Sequence, residues 1–342
     1  MPYNLSICIP TYNRAGLIGG CVESILSQIN ARIEIVIVDG ASRDNTQEII
    51  AGYCRRFPCI RYFRRATNLG VDEDILKIVE LAKGDYCWLM SDDDRMEPGA
   101  IEYLSSRLGE YPDLAGASVN SLAFDRTMSY RVKTVPATSG GRFSADHLFT
   151  NREECFNALG IHLGYLSAQI VRRDLWRDVV TQVDLAPYKN TCWLLVYIIG
   201  AMLQRNSRWL YIHRPCIRYR SGNDSFGARM GTYRRQLVTH QSYSIVINGL
   251  FGKDGNVCRN ILKTLISDRM PRTLANTKAN GASIYLQMQL CKLYTKEYWR
   301  FGTYWWKVFP LFFVPNFAFR IIRAVYMHVK SRQGIVPLEE TR

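Results

Sequence analysis

The sequence predicts an α/β fold in which helices flank a mostly parallel sheet, followed by a helical C-terminal region. Short apolar runs alternate with amphipathic segments four times within about 95 residues, the pattern of strands joined by crossover helices. Polar and acidic residues follow several of these runs, where the strands would end. From residue 231 onward the apolar residues recur at helical spacing.

Each predicted strand in the first 110 residues is a short apolar run that ends at a polar or turn residue. These strands cover residues 5–9, 33–38, 60–64 and 85–90. The segments between and after them carry apolar residues on one helical face. These helices cover residues 17–29, 46–57, 75–82 and 98–110. Ligands bind such sheets at the carboxyl ends of the strands, so the candidate site lies there.

The remainder of the chain is less regular. It contains extended pieces over residues 117–123, 130–135, 165–171 and 209–219. Residues 192–203 form a continuous apolar run that is too short to span a bilayer, so we interpret it as a core helix. We expect one α/β domain over residues 1–225, divided into halves at residues 1–110 and 111–225, and a helical region over residues 226–342.

The chain is strongly basic, with 44 Lys and Arg against 30 Asp and Glu, a net charge of +14. This excess favours contact with phosphates or anionic lipid. Residues 298–319 are rich in aromatic side chains, and Arg320 and Arg323 follow them. This composition favours a segment over residues 298–332 that lies in a membrane interface rather than in a nucleic-acid groove. A helical pair packed on the α/β domain, or a contact in a homo-oligomer, is the alternative.

The ten cysteines are scattered and contain no C-x-x-C pair, which argues against a zinc site and for a reducing compartment. The N-terminus lacks the pattern of a signal peptide. No uncharged apolar run reaches the length of a spanning helix. We therefore expect a protein that stays in the cytoplasm or lies peripherally on the cytoplasmic face of a membrane.

The acidic cluster Asp92–Asp94 directly follows an apolar strand. Three neighbouring carboxylates repel one another, and burial raises their pKa unless a cation compensates them. Mg²⁺ and Mn²⁺ take carboxylate oxygens and complete their shell with phosphate oxygens and water. The alternative is a solvated turn that caps the next helix. On an extended chain Asp92 and Asp94 would face the same way and could act together.

Four motifs occur in order: IPTYNR at residues 9–14, IVDGASRDNT at 37–46, NLG at 68–70 and AKGDYCWLMSDDD at 82–94. Together they resemble the family-2 glycosyltransferases of the GT-A fold, and within them the bacterial O-antigen sugar transferases of the abequosyltransferase type. The resemblance is strong over residues 5–110 and weaker to about residue 225.

The resemblance implies a role for each matching position. The residues that would contact the nucleotide sugar are Pro10, Thr11, Asn13, Asp39, Asn68, Asp92 and Asp93. Asp94 and Asp92 would hold a divalent metal ion, Mn²⁺ or Mg²⁺, with Asp94 the more direct ligand. We interpret Asp44 as a structural turn residue.

Inverting members of this family carry their general base in a Glu-Asp pair, which this sequence lacks between residues 175 and 200. Asp184 is our first candidate for the base and Asp178 the second. His162 is a weaker candidate. Arg218 and Arg220 directly precede a turn that contains Gly222, and they could hold diphosphate oxygens.

The sequence thus predicts an inverting, metal-dependent glycosyltransferase. Its donor would be a nucleotide-diphosphate sugar and its acceptor a polyprenyl-diphosphate-linked saccharide of a bacterial surface polysaccharide. A sugar-1-phosphate nucleotidyltransferase is one alternative, although the loop after the first strand lacks the expected Gly-rich sequence. A non-catalytic basic membrane-binding protein is another, but it leaves the acidic cluster unexplained.

Overall fold

The computed structural model describes residues 4–135, 143–223, 225–253 and 255–332, with side chains omitted for 132–135, 225–229 and 326–332. The chain forms two compact units, Met1–Arg220 and Ser221–Arg342, called unit 1 and unit 2.

Unit 1 is built on a ten-stranded mixed sheet. The strands are β1 (Leu5–Thr11), β2 (Ile33–Asp39), β3 (Ile60–Arg64), β4 (Tyr86–Leu89), β5 (Arg95–Met96), β6 (Gly116–Phe124), β7 (Arg131–Val135), β8 (His147–Phe149), β9 (Gln169–Arg172) and β10 (Trp209–Arg220). The main order is β3-β2-β1-β4-β9-β6-β10-β5, with β7 beside β6 and β8 beside β10. Strands β1 to β4 pair in parallel, as do β6 and β10, whereas β9 runs antiparallel to β4 and β6.

Helices cover both faces of the sheet. They are α1 (Ile18–Leu26), α2 (Thr46–Arg56), α3 (Val71–Leu81), α4 (Ala100–Glu110), α5 (Arg152–Leu159), α6 (Arg173–Gln182) and α7 (Leu194–Arg205). Alternate residues of β1 and β2, such as Ile7 and Ile35, join the core that includes α1 and α4. Their neighbours Cys8 and Val36 are also buried but lie on the opposite face. Both faces of these central strands are therefore dry, which explains their continuous apolar sequence.

The predicted α/β architecture is confirmed, and the four strands and four helices of the first 110 residues lie close to their predicted positions. The prediction missed β5, β8, α5 and α6. The first three are short, and α6 follows β9 directly, without a turn residue between them. Residues 165–171, predicted as extended, begin instead with a 3-10 turn at Leu166–Ala168 and enter β9 only at Gln169.

Unit 2 is helical. Its α-helices are α8 (Ser225–Leu237), α9 (Tyr243–Phe251), α10 (Asn256–Thr264), α11 (Met270–Ala279), α12 (Ile284–Tyr298), α13 (Gly302–Lys307) and α14 (Asn316–Arg332). Buried tyrosines, including Tyr243, Tyr294 and Tyr298, form much of its core. The ammonium of the buried Lys278 on α11 donates hydrogen bonds to the carbonyls of Leu311 (3.1 Å) and Phe312 (2.7 Å), which fixes the aromatic segment that precedes α14.

Within the described residues, no single helix is both long and apolar enough to cross a membrane. Two helical segments, Gly302–Phe312 and Asn316–Val325, satisfy the length and composition criteria only when taken together, and a bend of 96° separates them.

Candidate active site

The candidate site lies at the carboxyl edge of strands β1, β2 and β4. Thr11 at the end of β1 pairs across the sheet with Asp39 at the end of β2. The acidic cluster follows β4, which pairs with β1 on the other side. The topology therefore brings together three motifs that are separated by up to 80 residues in the sequence.

Asp39 is fully buried, and its carboxylate is held by neighbouring donors. It accepts hydrogen bonds from the Ser42 N–H (2.8 Å) and from the Tyr62 hydroxyl (2.6 Å), and the Arg64 guanidinium lies 3.9 Å away. A carboxylate oxygen can accept two hydrogen bonds, so Asp39 keeps capacity for a further donor such as a base N–H or a ribose hydroxyl. Asp39 therefore stabilises the turn through Ser42 and still has free lone pairs that could accept a hydrogen bond from a ligand.

The loop after β1 is clamped to the loop after β2. Asn13 adopts a left-handed backbone (φ 55°), its N–H donates to Ser42 Oγ (2.8 Å), and its side-chain oxygen accepts from the Arg43 N–H (2.8 Å). Asp44 accepts hydrogen bonds from Ala15 and Thr46. Burial tends to raise the Asp44 pKa, but these hydrogen bonds outweigh it and leave the pKa below its usual value.

Two other residues predicted to contact the nucleotide, Pro10 and Asn68, lie in different surroundings. Pro10 is buried in β1 opposite Val38. Asn68 is exposed in the loop after β3, and its side chain accepts a hydrogen bond from the Gly70 N–H (2.8 Å). Gly70 has φ 92°, a conformation that a side chain would strain. Asn68 thus shapes the turn before α3.

Asp92 is 6% exposed and faces the loop after β1. Its carboxylate lies 3.3 Å from the Arg14 guanidinium. Burial raises the Asp92 pKa to about 7, although the charge of Arg14 opposes this shift. Asp92 is therefore a buried acid whose negative charge is only partly compensated.

Asp94 is 2% exposed and faces the opposite side of the site. One oxygen accepts hydrogen bonds from the Tyr165 hydroxyl (2.7 Å) and Ser167 Oγ (2.6 Å), and the other accepts from the Arg220 N–H (2.9 Å). Burial, with repulsion from Asp93 as the second cause, raises the Asp94 pKa to about 7.

The acidic cluster forms a turn rather than the extended segment expected from the sequence. The Asp94 N–H donates to the Ser91 carbonyl (3.4 Å), and Asp93 accepts a hydrogen bond from Ser91 Oγ (2.5 Å). This turn gives Asp92 and Asp94 different sets of neighbours. The expectation that alternate residues of an extended chain align them is therefore wrong, because the strand ends at Leu89.

The carboxyl groups suit a divalent cation that is shared with a phosphate ligand. Asp92 and Asp94 supply oxygen ligands, and their raised pKa values show that negative charge is costly there. Within the described parts of the chain, no three His, Cys, Asp or Glu side chains converge to enclose an ion. An ion at Asp92 and Asp94 would need its other ligands from a diphosphate and water, as Mg²⁺ often does.

Arg218 and Arg220 are both committed to protein partners. The Arg218 guanidinium forms a two-point ion pair with Glu97, at 2.8 and 3.3 Å. The Arg220 guanidinium donates to the carbonyls of Asp93 (2.8 Å) and Arg126. In this arrangement Arg220 supports the acidic cluster through its side chain and its backbone N–H, whereas Arg218 braces β10 against the segment after the cluster.

The three candidate bases occupy different environments. Asp178 is exposed on α6. Asp184 is exposed in the loop between α6 and α7, where it accepts a hydrogen bond from the Ala186 N–H (2.9 Å). His162 lies in a 3-10 turn, and its carbonyl accepts from the Gln169 side chain (2.9 Å).

Sequence reasoning missed several side chains that hold the predicted acids. These are Arg14, Tyr62, Tyr165 and Ser167. Arg14 follows the PTYN motif directly and could have been suspected from its charge. Tyr165 and Ser167 are 71 and 73 residues beyond Asp94, and only β9 pairing with β4 brings their segment to the cluster.

Comparison with known proteins agrees with this geometry. Residues 6–173 match the model of glycosyl transferase family 2. Unit 1 is a family-2 glycosyltransferase domain. Abequosyltransferase RfbV of Salmonella typhimurium is 29% identical over 341 residues, which cover 93% of this chain and 99% of that protein. A PGL/p-HBAD biosynthesis glycosyltransferase of Mycobacterium bovis is 30% identical over 157 residues, 45% of this chain and 57% of that protein.

Solved structures show the same fold. The S. aureus TarS 1–349 structure in complex with UDP-GlcNAc has a TM-score of 0.62 at 13% identity, covering 97% of this glycosyltransferase and 92% of that chain. Mannosyltransferase PcManGT from Pyrobaculum calidifontis, in complex with GDP-Man and Mn²⁺, has a TM-score of 0.52 at 14% identity and covers 94% and 87% of the two chains. The protein is therefore a transferase with the predicted GT-A-type architecture, and the family match argues against both alternative functions.

Proposed function

We propose that this glycosyltransferase transfers a sugar from a nucleotide-diphosphate sugar to a polyprenyl-diphosphate-linked saccharide, with inversion and with a divalent metal ion. The product would be part of an O-antigen-like bacterial surface polysaccharide. The observation that carries this proposal is the buried pair Asp92 and Asp94 beside Asp39 at one edge of the sheet. Similarity to an abequosyltransferase along almost its whole length supports sugar transfer in O-antigen synthesis.

The nucleotide-sugar donor would bind at the carboxyl ends of β1 and β2. Asp39 would accept a hydrogen bond from the base or ribose through its remaining lone pairs, in a position fixed by Ser42 and Tyr62. The rigid loop at Asn13 would lie beside the nucleotide. Crystal structures of TarS with UDP-GlcNAc and of PcManGT with GDP-Man support nucleotide-sugar binding by this fold, without indicating which base this chain prefers.

Asp94 and Asp92 would be the protein ligands of the divalent metal ion. A divalent ion bound there would stabilise the negative charge that develops on the departing diphosphate. Tyr165, Ser167 and the Arg220 N–H would orient the Asp94 carboxylate by hydrogen bonding, as residues around a metal ligand commonly do.

For the acceptor, we favour Asp184 over Asp178 as the general base. Inversion requires removal of a proton from the attacking hydroxyl as that oxygen bonds to the anomeric carbon and the diphosphate leaves. Asp184 is exposed and lies on a loop whose last residue, Trp193, packs against Gly164, the neighbour of Tyr165. Asp178 lies one to two turns earlier, on the exposed face of α6.

We further propose that unit 2 holds the enzyme on the membrane that contains the acceptor. Large apolar side chains are exposed along the aromatic segment and the start of α14. They are Trp299, Trp305, Trp306, Phe313, Phe317, Ile321, Ile322 and Val325. We call these eight side chains, five aromatic and three aliphatic, the aromatic face. The neighbouring Arg320 and the ten free cysteines fit the cytoplasmic surface of an anionic inner membrane.

A donor screen tests the proposed reaction. The full chain is incubated with UDP-, GDP-, CDP- and dTDP-sugars in the presence of Mn²⁺ or Mg²⁺, and release of the nucleoside diphosphate is measured. One donor class should be hydrolysed, and hydrolysis should stop in excess chelator and in the Asp94→Asn variant. Release of a nucleoside monophosphate, or turnover that survives chelation, would contradict the proposal.

A further inference from the structure

The loop over residues 183–193, between α6 and α7, contacts the start of α3, more than 100 residues earlier in the sequence. The Asn190 N–H donates a hydrogen bond to the Asp72 carboxylate (2.8 Å), and the Lys189 ammonium pairs with Glu73 (2.6 Å). The Asn190 side-chain oxygen also lies beside Gly70, 4.0 Å from the position of a Cβ there. The middle of this loop is therefore fixed to the helix that begins at the nucleotide side.

The far end of the same loop reaches the residues that hold Asp94. The Trp193 ring fills the space beside Gly164 so closely that a Cβ at Gly164 would lie 2.7 Å from it. The next residue, Tyr165, donates its hydroxyl hydrogen to Asp94. The loop thus contacts α3 at its middle and the residue before Tyr165 at its end, and it carries Asp184 near its beginning.

The loop contains a turn with two left-handed residues, Asn190 (φ 60°) and Cys192 (φ 63°). Asparagine tolerates this conformation, whereas at Cys192 it costs on the order of 1 kcal/mol. Thr191 ties the turn internally, donating to the Tyr188 carbonyl (2.5 Å) and accepting from the Trp193 N–H (3.1 Å). The contact from Asn190 to Asp72 holds this turn against the rest of the unit.

Asp72 is a buried acid to which the proposed reaction assigns no role. It is 7% exposed, and among the described residues no basic side chain forms an ion pair with it within 4.0 Å. Burial raises its pKa to about 6, while the hydrogen bond from Asn190 opposes the shift. Burial of a carboxyl group without an ion-pair partner costs free energy. The contact that Asp72 makes in return is the hydrogen bond that attaches the loop to α3.

We infer that Asp72 is a positioning residue that holds the 183–193 loop in the conformation that receives the acceptor. This inference rests on the proposed function for the acceptor, but the anchoring itself does not. Without the Asp72 contact, the turn at Asn190 would lose its attachment to α3, and the loop that carries Asp184 would become more mobile. Acceptor use would then suffer while the nucleotide side, built on β1 and β2, remains intact.

The test compares Asp72→Ala, which removes the hydrogen-bond acceptor, with Asp72→Asn, which keeps an acceptor oxygen. Glu73→Gln is the matched control, because Glu73 contacts the same loop through a half-exposed ion pair. Hydrogen exchange of residues 183–193 and steady-state kinetics are measured on the full chain. Asp72→Ala should speed exchange in the loop about tenfold and raise KM for the acceptor about tenfold. KM for the donor should stay within about twofold, and Asp72→Asn and Glu73→Gln should resemble wild type.

Two results would overturn the inference. Unchanged loop exchange in Asp72→Ala would show that Asp72 does not anchor the loop. An Asp72→Asn variant as inactive as Asp72→Ala would show that the charge, rather than the hydrogen bond, is required. If loop exchange responds as predicted but no sugar is transferred by the wild type, the anchoring is supported and the proposed function fails separately.

Discussion

Asp92 and Asp94 are separated by one residue and are both almost completely buried, yet they have different neighbours. Arg14 approaches Asp92 from the loop after β1, whereas Tyr165 and Ser167 approach Asp94 from the segment before β9. Neither carboxylate has a full counter-charge from the protein, and burial keeps both pKa values near 7. This electrostatic cost at a site exposed to ligands is typical of functional acids.

The raised pKa values predict that stability falls as the pH rises. A carboxyl group with a folded pKa of about 7 and an unfolded pKa near 4 binds its proton more tightly in the folded state. Its contribution is complete below about pH 4 and is lost as the pH rises through 7. We expect the unfolding free energy of the ligand-free protein to fall by roughly 2–3 kcal/mol per group between pH 5 and 8, and so by about 5 kcal/mol from the two groups.

Urea unfolding across this pH range measures the effect. Asp92→Asn and Asp94→Asn should each flatten the dependence relative to wild type, and Mn²⁺ with the correct nucleoside diphosphate should flatten it in wild type. Comparison of slopes removes the contributions of other titrating groups such as His240. Equal slopes in wild type and both variants would show that these carboxyl groups are not the source.

The sequence predicted that these acids lie at strand ends, but not which side chains hold them. The motifs around Asp39 and Asp92–Asp94 identify acids at strand ends because apolar runs stop there. Tyr62 and Tyr165 have no such marker, since a tyrosine in a strand or turn is common and its partner depends on the register of strand pairing. The left-handed turn at Asn190 likewise has no glycine to reveal it.

At the scale of elements, the strand β6 depends on a glycine whose importance the sequence does not reveal. Gly116 lies under the Trp209 ring and against the Ile170 carbonyl, at 2.5 and 2.3 Å from the position of a Cβ. A side chain there would push apart β6, β9 and β10. The absence of a side chain at Gly116 is therefore required for the three strands to approach this closely.

Gly116→Ala should therefore lower the unfolding free energy by about 2–4 kcal/mol, because both neighbours are rigid and buried. Gly16→Ala is the matched control, since no atom lies within 4 Å of a Cβ at that position. The control should change stability by less than about 1 kcal/mol. Equal destabilisation of the two variants in urea would contradict the packing of β6 described here.

The elements of unit 1 differ in how far the sequence predicts them. Strands β1 to β4 are buried on both faces and flanked by amphipathic helices, so their apolar runs are distinct. Strands β5 and β8 have only two and three residues, and their existence depends on pairing with β10. Short pairings of this kind are set by tertiary packing rather than by local sequence.

At the scale of the whole molecule, the chain joins the glycosyltransferase domain, unit 1, to a helical unit 2 that carries the aromatic face. The sequence predicted an interfacial segment from composition alone. The structure adds that Trp306 and Phe313 are 86% and 72% exposed within unit 2, while Lys278 fixes the backbone between α13 and α14. Exposed large apolar side chains that are grouped in one segment are typical of surfaces that bind a partner or a membrane.

Binding to vesicles tests the membrane role. The Trp306→Glu/Phe313→Glu double variant should lose at least about tenfold in partition onto phosphatidylglycerol-containing vesicles, because two anchoring rings are replaced by negative charges. Ile245→Glu is the control, as Ile245 is 48% exposed on α9, outside the aromatic face. Cosedimentation of the full chain measures the partition. Equal binding of both variants would exclude the aromatic face as the membrane contact.

The central claim is that Asp92 and Asp94 form a diphosphate–metal site, and equilibrium nucleotide binding tests it most directly. UDP, GDP, CDP and dTDP are titrated into the full chain with Mn²⁺ and with excess chelator. For one nucleotide, Mn²⁺ should tighten binding at least about tenfold, and Asp94→Asn should abolish this gain. Asp113→Asn, at an exposed left-handed position that suits asparagine, should retain it. Nucleotide binding that is unchanged by chelator and by Asp94→Asn would contradict the claim.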